Sequence, residues 1–334
     1  MSQAPVSRLP AEALAGSDSL ATVLSGPPPK IRSLWRDAFR RLLKNKLSII
    51  GLVLTSFFVL LSIIGPVIAP YPYQQQSLLH TNELPSETHI FGTDDLGRDL
   101  FSRVLWGART AIIVGIFVTT ISVTLGIILG GMAAYLAGGV DWTVGRLIDF
   151  TQSIPSIMLA ILVNATFKSP VEKVFESLYQ SSKWDIFQGS TFLSYFVTLG
   201  AIAVVSWPGF ARLIRGQILT LRTQEYVTAA RAVGVPTFRT LMQHIVPNAL
   251  GPIIVAATFG FSNAMILEAS LSYLGIGIQP PNASWGAMIN DNLFQWRERP
   301  WLVIVPAAVL GLAALGVNYL GDGLNDALNP RSRA

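Results

Sequence analysis

Six long apolar stretches of this chain carry no Asp, Glu, Lys or Arg, and they decide what it can fold into. They are Leu47–Ala69, Ala111–Val140, Phe150–Phe167, Ile186–Ala211, Thr240–Leu267 and Pro300–Gly321. About 20 apolar residues, rising ~1.5 Å each, cross the ~30 Å hydrocarbon layer of a bilayer. Each stretch therefore reads as a transmembrane helix, although Pro155 and Asn164 interrupt the third. A seventh uncharged stretch, Ala269–Asn290, holds Pro280, Pro281, Asn282 and Ser284 without a continuous apolar run, and reads as a loop. The expectation is an all-α polytopic membrane protein with six spans. Composition agrees: charged residues make up 13% of the chain, against about 25% in soluble proteins, which excludes an ordinary soluble enzyme. Cysteine is absent, so disulfides, thiolate metal sites and a cysteine nucleophile are excluded too.

An even number of spans puts both termini on one side. Lys30–Lys46, just before the first span, has seven basic residues and one acid, Asp37. The positive-inside rule makes that side cytoplasmic. Of the 24 Lys and Arg, 16 then fall on the cytoplasmic side and 8 outside. The discordant segment is the first outer loop, where Arg98, Arg103 and Arg109 are partly balanced by Glu83, Glu87, Asp94, Asp95 and Asp99. The net charge of +5 is thus a matter of membrane sidedness, and no nucleic-acid partner is expected. Residues 1–29, rich in Ala, Ser and Pro, lack a signal-peptide core and read as a disordered cytoplasmic tail. No internal repeat is visible, which argues against an inverted-repeat carrier.

Two loops carry more than topology. In the first outer loop, Asp94, Gly97, Arg98, Asp99 and Arg103 form a dense polar motif. Asp99 and Arg103 are four apart, a favourable pair on one helix face, and Thr93 or Asp94 can cap that helix. The expectation is an amphipathic helix at the outer interface; the alternating oxygen ligands of a calcium loop are missing. Between spans four and five, residues 222–235 read as a short helix ended by Gly234 and Pro236. Tyr226, Ala230 and Val233 recur at helical spacing as an apolar face, with Arg222, Glu225 and Arg231 opposite. Thr237 can cap the helix that follows. By composition alone, this segment could rest on lipid headgroups or dock to a protein.

The pattern Ala229-Ala230-x3-Gly234, followed by Pro247 thirteen residues on, resembles the cytoplasmic signature of ABC-importer permease subunits. Thr228 stands where that family usually has Glu, and His244-Ile245-Val246-Pro247 where it has Ile-x-Leu-Pro. Thr93-Asp94-x2-Gly97-Arg98-Asp99, Glu268-Ala269-Ser270-Leu271-Ser272-Tyr273-Leu274-Gly275 and Leu320-Gly321-Asp322 with Asp326 and Asn329-Pro330-Arg331 resemble the C-type permeases of dipeptide and oligopeptide importers. The resemblance covers roughly 30–331. It implies the type I ABC-importer permease fold, with residues 30–106 as an N-terminal segment carrying the first span and 107–334 as the permease domain. Residues 222–235 would be a coupling helix, with Glu225, Tyr226, Ala229, Ala230, Arg231, Gly234 and Pro247 meeting an ATPase. Implied partners are a homologous B-type permease, two ABC ATPase subunits and an extracytoplasmic peptide-binding protein, in a bacterial inner membrane. ATP and magnesium would be bound by the ATPases and no cofactor by this chain.

The residues agree that catalysis is not built in. No Gly-rich phosphate loop with its Lys occurs, no Ser/His/Asp set is assignable, and three histidines do not make a metal centre. Glu268, at the end of an apolar run, reads either as a pathway or gate residue or as a headgroup-level contact to a neighbouring subunit. Arg146 can pair with Asp149, and Gly126, Gly130 and Gly131 permit close helix contact. The substrate stays open among peptides, glutathione, nickel chelates and oligosaccharides. A stand-alone secondary carrier and a non-transporting scaffold are the alternatives in class.

Overall fold

The computed structural model describes residues 39–184 and 190–328, with all their side chains except those at 190, 191, 231 and 237. The expected tail 1–29, most of the basic stretch before the first span, and Asn329-Pro330-Arg331 lie outside the described residues. The regular elements are helices, apart from one isolated bridge between Thr93 and Asp99. In chain order they are α1 (Lys46–Ile68), α2 (Leu100–Leu136), α3 (Gly138–Ser153), α4 (Ser156–Ser182), α5 (Ser190–Leu221), α6 (Glu225–Ala232), α7, α8 (Trp285–Asp291) and α9 (Trp301–Leu328). α7 is continuous through Thr237–Thr240, a π-turn at Leu241–Ile245 and Val246–Tyr273. Five helices, α1, α2, α5, α7 and α9, are each long and apolar enough to cross a membrane, and α3 with α4 makes a sixth span if the pair is counted as one.

Three expectations change in detail. The third span is not one straight helix: α3 and α4 meet at a 97° bend. Pro155 has no N–H to donate and pushes the preceding residue out of the helical region, and Ile154 is accordingly extended at φ −98°, ψ 134°. Asn164 does not interrupt α4; it is buried and donates to Thr198 Oγ1 of α5 at 3.3 Å. Second, α2 begins at Leu100, well before the charge-free run, so the expected interfacial helix is the first turns of the span itself. Its cap is Asp99, whose Oδ2 accepts from Ser102 N at 2.8 Å, rather than Thr93 or Asp94. Third, the stretch read as a loop is one only over residues 274–284, since α7 runs to Tyr273 and α8 starts at Trp285.

Successive spans alternate in direction. The end at which α1 begins is here the proximal end. There Asn45 reaches Asp326 near the end of α9 at 3.4 Å, and Arg222 donates to Ala134 O at 2.9 Å. At the distal end, Arg98 reaches Asp291 at 3.0 Å. Small residues let the spans touch: Gly51 of α1 abuts Leu320, Gly323 of α9 abuts Ser48, and Gly126 and Gly130 lie against Phe210 and Ala211 of α5. A distal core gathers Phe58, Leu100, Val104, Met265, Trp285 and Leu302, with Trp285 Nε1 donating to Val104 O at 3.0 Å. A proximal core gathers Phe210, Ile214, Ile218, Val227, Leu241 and Ile245. The outer face of α1 stays bare, with Val53, Phe57, Leu60, Ile63 and Val67 all exposed, as a helix bathed in lipid requires.

Candidate functional site

The proximal end presents a short helix held on three sides. α6 is anchored by Val227, fully buried among α2, α5 and α7. Just before α6, Arg222 caps the carbonyl end of α2 through Ala134 O. Its C-terminus closes on Gly234 at φ +80°, where Val235 N donates to Ala230 O at 3.1 Å; this left-handed turn is one that glycine adopts without strain. Glu225 stands in the first turn, where a carboxylate favours the helix dipole. Pro247, which has no N–H to donate, lies inside α7 two residues past the π-turn at Leu241–Ile245.

The apolar face foreseen from Tyr226, Ala230 and Val233 does not point inward. Tyr226 is 41% exposed, Val233 80% and the following Phe238 72%, whereas Ala230 is half-buried and Val227 takes the inward position. Ala229 and Glu225 are exposed beside Tyr226, and the side chain of Arg231 lies outside the described residues. The sequence could not choose, because Val227 and the stripe of Tyr226, Ala230 and Val233 are both apolar and only the contacts of Val227 fix the rotation. The result is a small-residue ridge flanked by exposed Tyr226, Val233 and Phe238, on a helix that the described residues leave uncovered.

A groove of about 920 Å³ lies between α5 and α7, lined by Ser206, Phe210, Pro252, Phe259, Asn263 and Ser270 among others, with Asn325 and Leu328 of α9 also on its wall. Two ion pairs fasten α3 to α5 nearby. Arg215 holds Asp141 through both oxygens at 2.5 and 2.7 Å, and Arg212 reaches Asp149 at 2.9 Å. Asp149 thus pairs with Arg212 and not with Arg146, whose guanidinium lies over Trp142.

Glu268 faces neither the groove nor the surface. It is 2% exposed, inside its own chain, and accepts from Ser272 Oγ at 2.6 Å; Ser272 Oγ in turn accepts from Ile278 N at 3.0 Å. It ties the end of α7 to the loop after it.

The distal motif is a closed electrostatic knot. Asp94 accepts from the backbone of Leu96 and Arg98 at 3.0 and 2.9 Å and from Arg98 Nε at 2.6 Å. Arg98 reaches on to Asp291 of α8. Arg103, 2% exposed, faces the same two carboxylates at 3.9 Å and is not paired with Asp99, which caps α2 and meets His89 Nδ1 at 2.9 Å. Gly97, at φ +67°, is pressed against Ser77 O, so no side chain fits there. The carboxyl of Asp95 at the rim is held above its usual range, by partial burial first and then by Asp94. Nothing local marks Asp291, 193 positions away from its partner Arg98.

Among the described residues, no cluster of three or more His, Asp or Glu side chains is arranged to hold a metal ion. A family model described as the inner membrane component of binding-protein-dependent transport systems matches residues 122–334. A second, the N-terminal transmembrane domain of oligopeptide transport permease C, matches residues 33–85. The dipeptide transport system permease protein DppC of Alkalihalophilus pseudofirmus is 37% identical, over 93% of this chain and 95% of its own length. The oligopeptide transport system permease protein OppC of Bacillus subtilis is 36% identical, over 91% and 92%. The glutathione transport system permease protein GsiD of Pectobacterium atrosepticum is 34% identical, over 94% and 97%.

Proposed function

The chain belongs to the family of inner membrane components of binding-protein-dependent transport systems, and on that premise we propose that it is the C-type permease subunit of an ATP-driven importer of dipeptides or oligopeptides. The peptide reading is supported by the names of its relatives; glutathione, the substrate named for one of them, is the second reading. The observation that carries the mechanism is the uncovered ridge of α6, with Tyr226 on it, Val233 in the turn after it and Phe238 at the start of α7 all exposed, on a helix tied to the spans through Val227.

In this reading the proximal end is cytoplasmic, both termini lie there, and α6 docks into one of two partner ATPases, which bind ATP and magnesium. Residues 30–106 supply the first span and distal loop, and residues 107–334 the permease domain. Glu225, Tyr226, Ala229, Ala230, Arg231 and Gly234 form or shape the docking surface, and Pro247 lies in α7, the helix that carries its motion. Val227 and Arg222 make α6 a lever, since a push on it acts on the cluster from which α5 and α7 rise. Those helices flank the 920 Å³ groove, which, apposed to a homologous B-type permease, forms one wall of the pathway. Its serines and asparagines offer hydrogen bonds to a peptide backbone without a fixed charge, a surface that suits varied side chains. Asp94, Gly97, Arg98, Asp99 and Arg103 shape the distal surface that receives an extracytoplasmic binding protein. Glu268 acts as an internal brace of α7 and not as a gate.

A photo-reactive residue at Val233 in the intact transporter tests the reading. Crosslinking to an ATPase subunit that changes yield with nucleotide is expected. Crosslinking to lipid alone overturns the docking assignment.

A further inference from the structure

We infer that the distal half of the cleft between α2 and α5 is a binding site for an anionic phospholipid, with Arg109 holding the phosphate. Three arginines occupy the distal segment. Arg98 and Arg103 face Asp94 and Asp291, whereas Arg109 is exposed and has no carboxylate within ion-pair distance among the described residues. Its guanidinium lies 5.5 Å from the centre of the Trp106 ring, which in turn packs 4.4 Å from Tyr73. A cation beside two amphipathic aromatics is the composition of a headgroup-level belt.

Below this polar mouth the cleft turns apolar. Its volume is about 820 Å³, and it is lined by Phe117, Ile121, Phe196, Leu199 and Val204 as it descends to Leu125. Phe117, Phe196 and Val204 are about half exposed, so the described residues leave the trough open. From Arg109 to Leu125 along α2 is about 24 Å at ~1.5 Å per residue, more than the ~15 Å depth of one leaflet. Arg109 stands two residues before the charge-free run that crosses the hydrocarbon, which puts its head at the phosphate level. Depth, charge and shape together match one amphiphile, an anionic headgroup above and an acyl chain below. A zwitterionic lipid would fill the trough equally but gain less at Arg109, because near a membrane surface one such charge favours an anionic lipid by a factor of about five. The inference requires only that the chain spans a membrane, and it stands whatever the transported substrate is.

The test uses the intact transporter, delipidated in detergent and titrated with phosphatidylglycerol or phosphatidylcholine of the same acyl chains, with bound lipid counted by native mass spectrometry. The wild type is expected to retain one phosphatidylglycerol about fivefold better than phosphatidylcholine. Arg109→Gln should remove that preference, Arg109→Lys should keep most of it, and Ala203→Trp, which fills the trough, should lower retention of both lipids. Equal retention of the two lipids by the wild type, or an unchanged preference in Arg109→Gln, overturns the proposal. So does a photo-reactive residue at Phe117 that captures a second polypeptide instead of lipid.

Discussion

Gly234 offers a perturbation whose size can be worked out in advance. Its φ of +80° is a conformation that an L-residue enters at a cost of ~1–2 kcal/mol, yet no heavy atom lies within 4 Å of the position a Cβ would take. A substitution there therefore strains the turn without colliding with the bundle. A penalty of that size lowers the population of the closed turn by a factor of about 5 to 30. What opens is the bond from Val235 N to Ala230 O, which sets the direction of the chain from α6 into α7. Three replacements separate backbone strain from bulk. Asn tolerates the left-handed region and should retain most function; Ala should lose some; Val, branched at Cβ, should lose most. The assay is the amount of ATPase co-purified per permease, together with substrate-stimulated ATP hydrolysis, read beside the thermal midpoint of the complex. The order Asn, Ala, Val in coupling with nearly constant folding is the expected result. Equal coupling in the Asn and Val variants, or a Val variant that fails to assemble in membranes, would refute the reasoning.

Val227→Ala should destabilise the proximal cluster by about 1–3 kcal/mol, whereas Tyr226→Ala should leave the thermal midpoint unchanged and weaken ATPase retention. Gly97→Ala should prevent folding of the distal loop, since the added methyl meets Ser77 O, and should appear as lost expression of intact protein in the membrane. Asp94→Ala leaves the almost fully buried Arg98 and Arg103 with Asp291 as the carboxylate that remains near both, and is expected to cost up to roughly 3–5 kcal/mol in a denaturation series in detergent. Because the carboxyl of Asp95 is raised, its charged form disfavours the folded state at neutral pH. Asp95→Asn should therefore raise the thermal midpoint slightly near pH 7, and the gain should fade as pH falls through the range where Asp95 itself takes up a proton.

The spans were legible because hydrocarbon tolerates no unpaired charge: the uncharged apolar runs became helix wherever the chain is described, apart from the breaks at Ala137 and at Ile154–Pro155. Charge marks the hydrocarbon boundary, however, and not the end of a helix. α2 accordingly extends through Arg109 and Arg103 to its cap at Asp99. The bend at Pro155 was foreseen as an interruption, but not its 97° angle, nor the pairing of Asp141 on α3 with Arg215 on α5 across 74 positions. The short helix and its glycine stop were readable from local chemistry. Its rotation was not, since only the burial of Val227 tells the inward face from the outward one. The distal motif was recognisable as polar and dense, yet its keystone Asp291 comes from the end of α8, one residue past a stretch read as a loop. Glu268 shows the same limit, for the end of an apolar run does not reveal whether a carboxylate faces lipid, a groove or its own helix bundle.

The most direct measurement of the central claim is a gentle pull-down of the tagged chain from its native membrane, with subunit identification and an ATPase assay. The account predicts recovery of a second permease and ATPase subunits, with hydrolysis stimulated by a peptide-loaded binding protein. Recovery of this chain alone, active in ion-gradient-driven uptake without ATP, would contradict it.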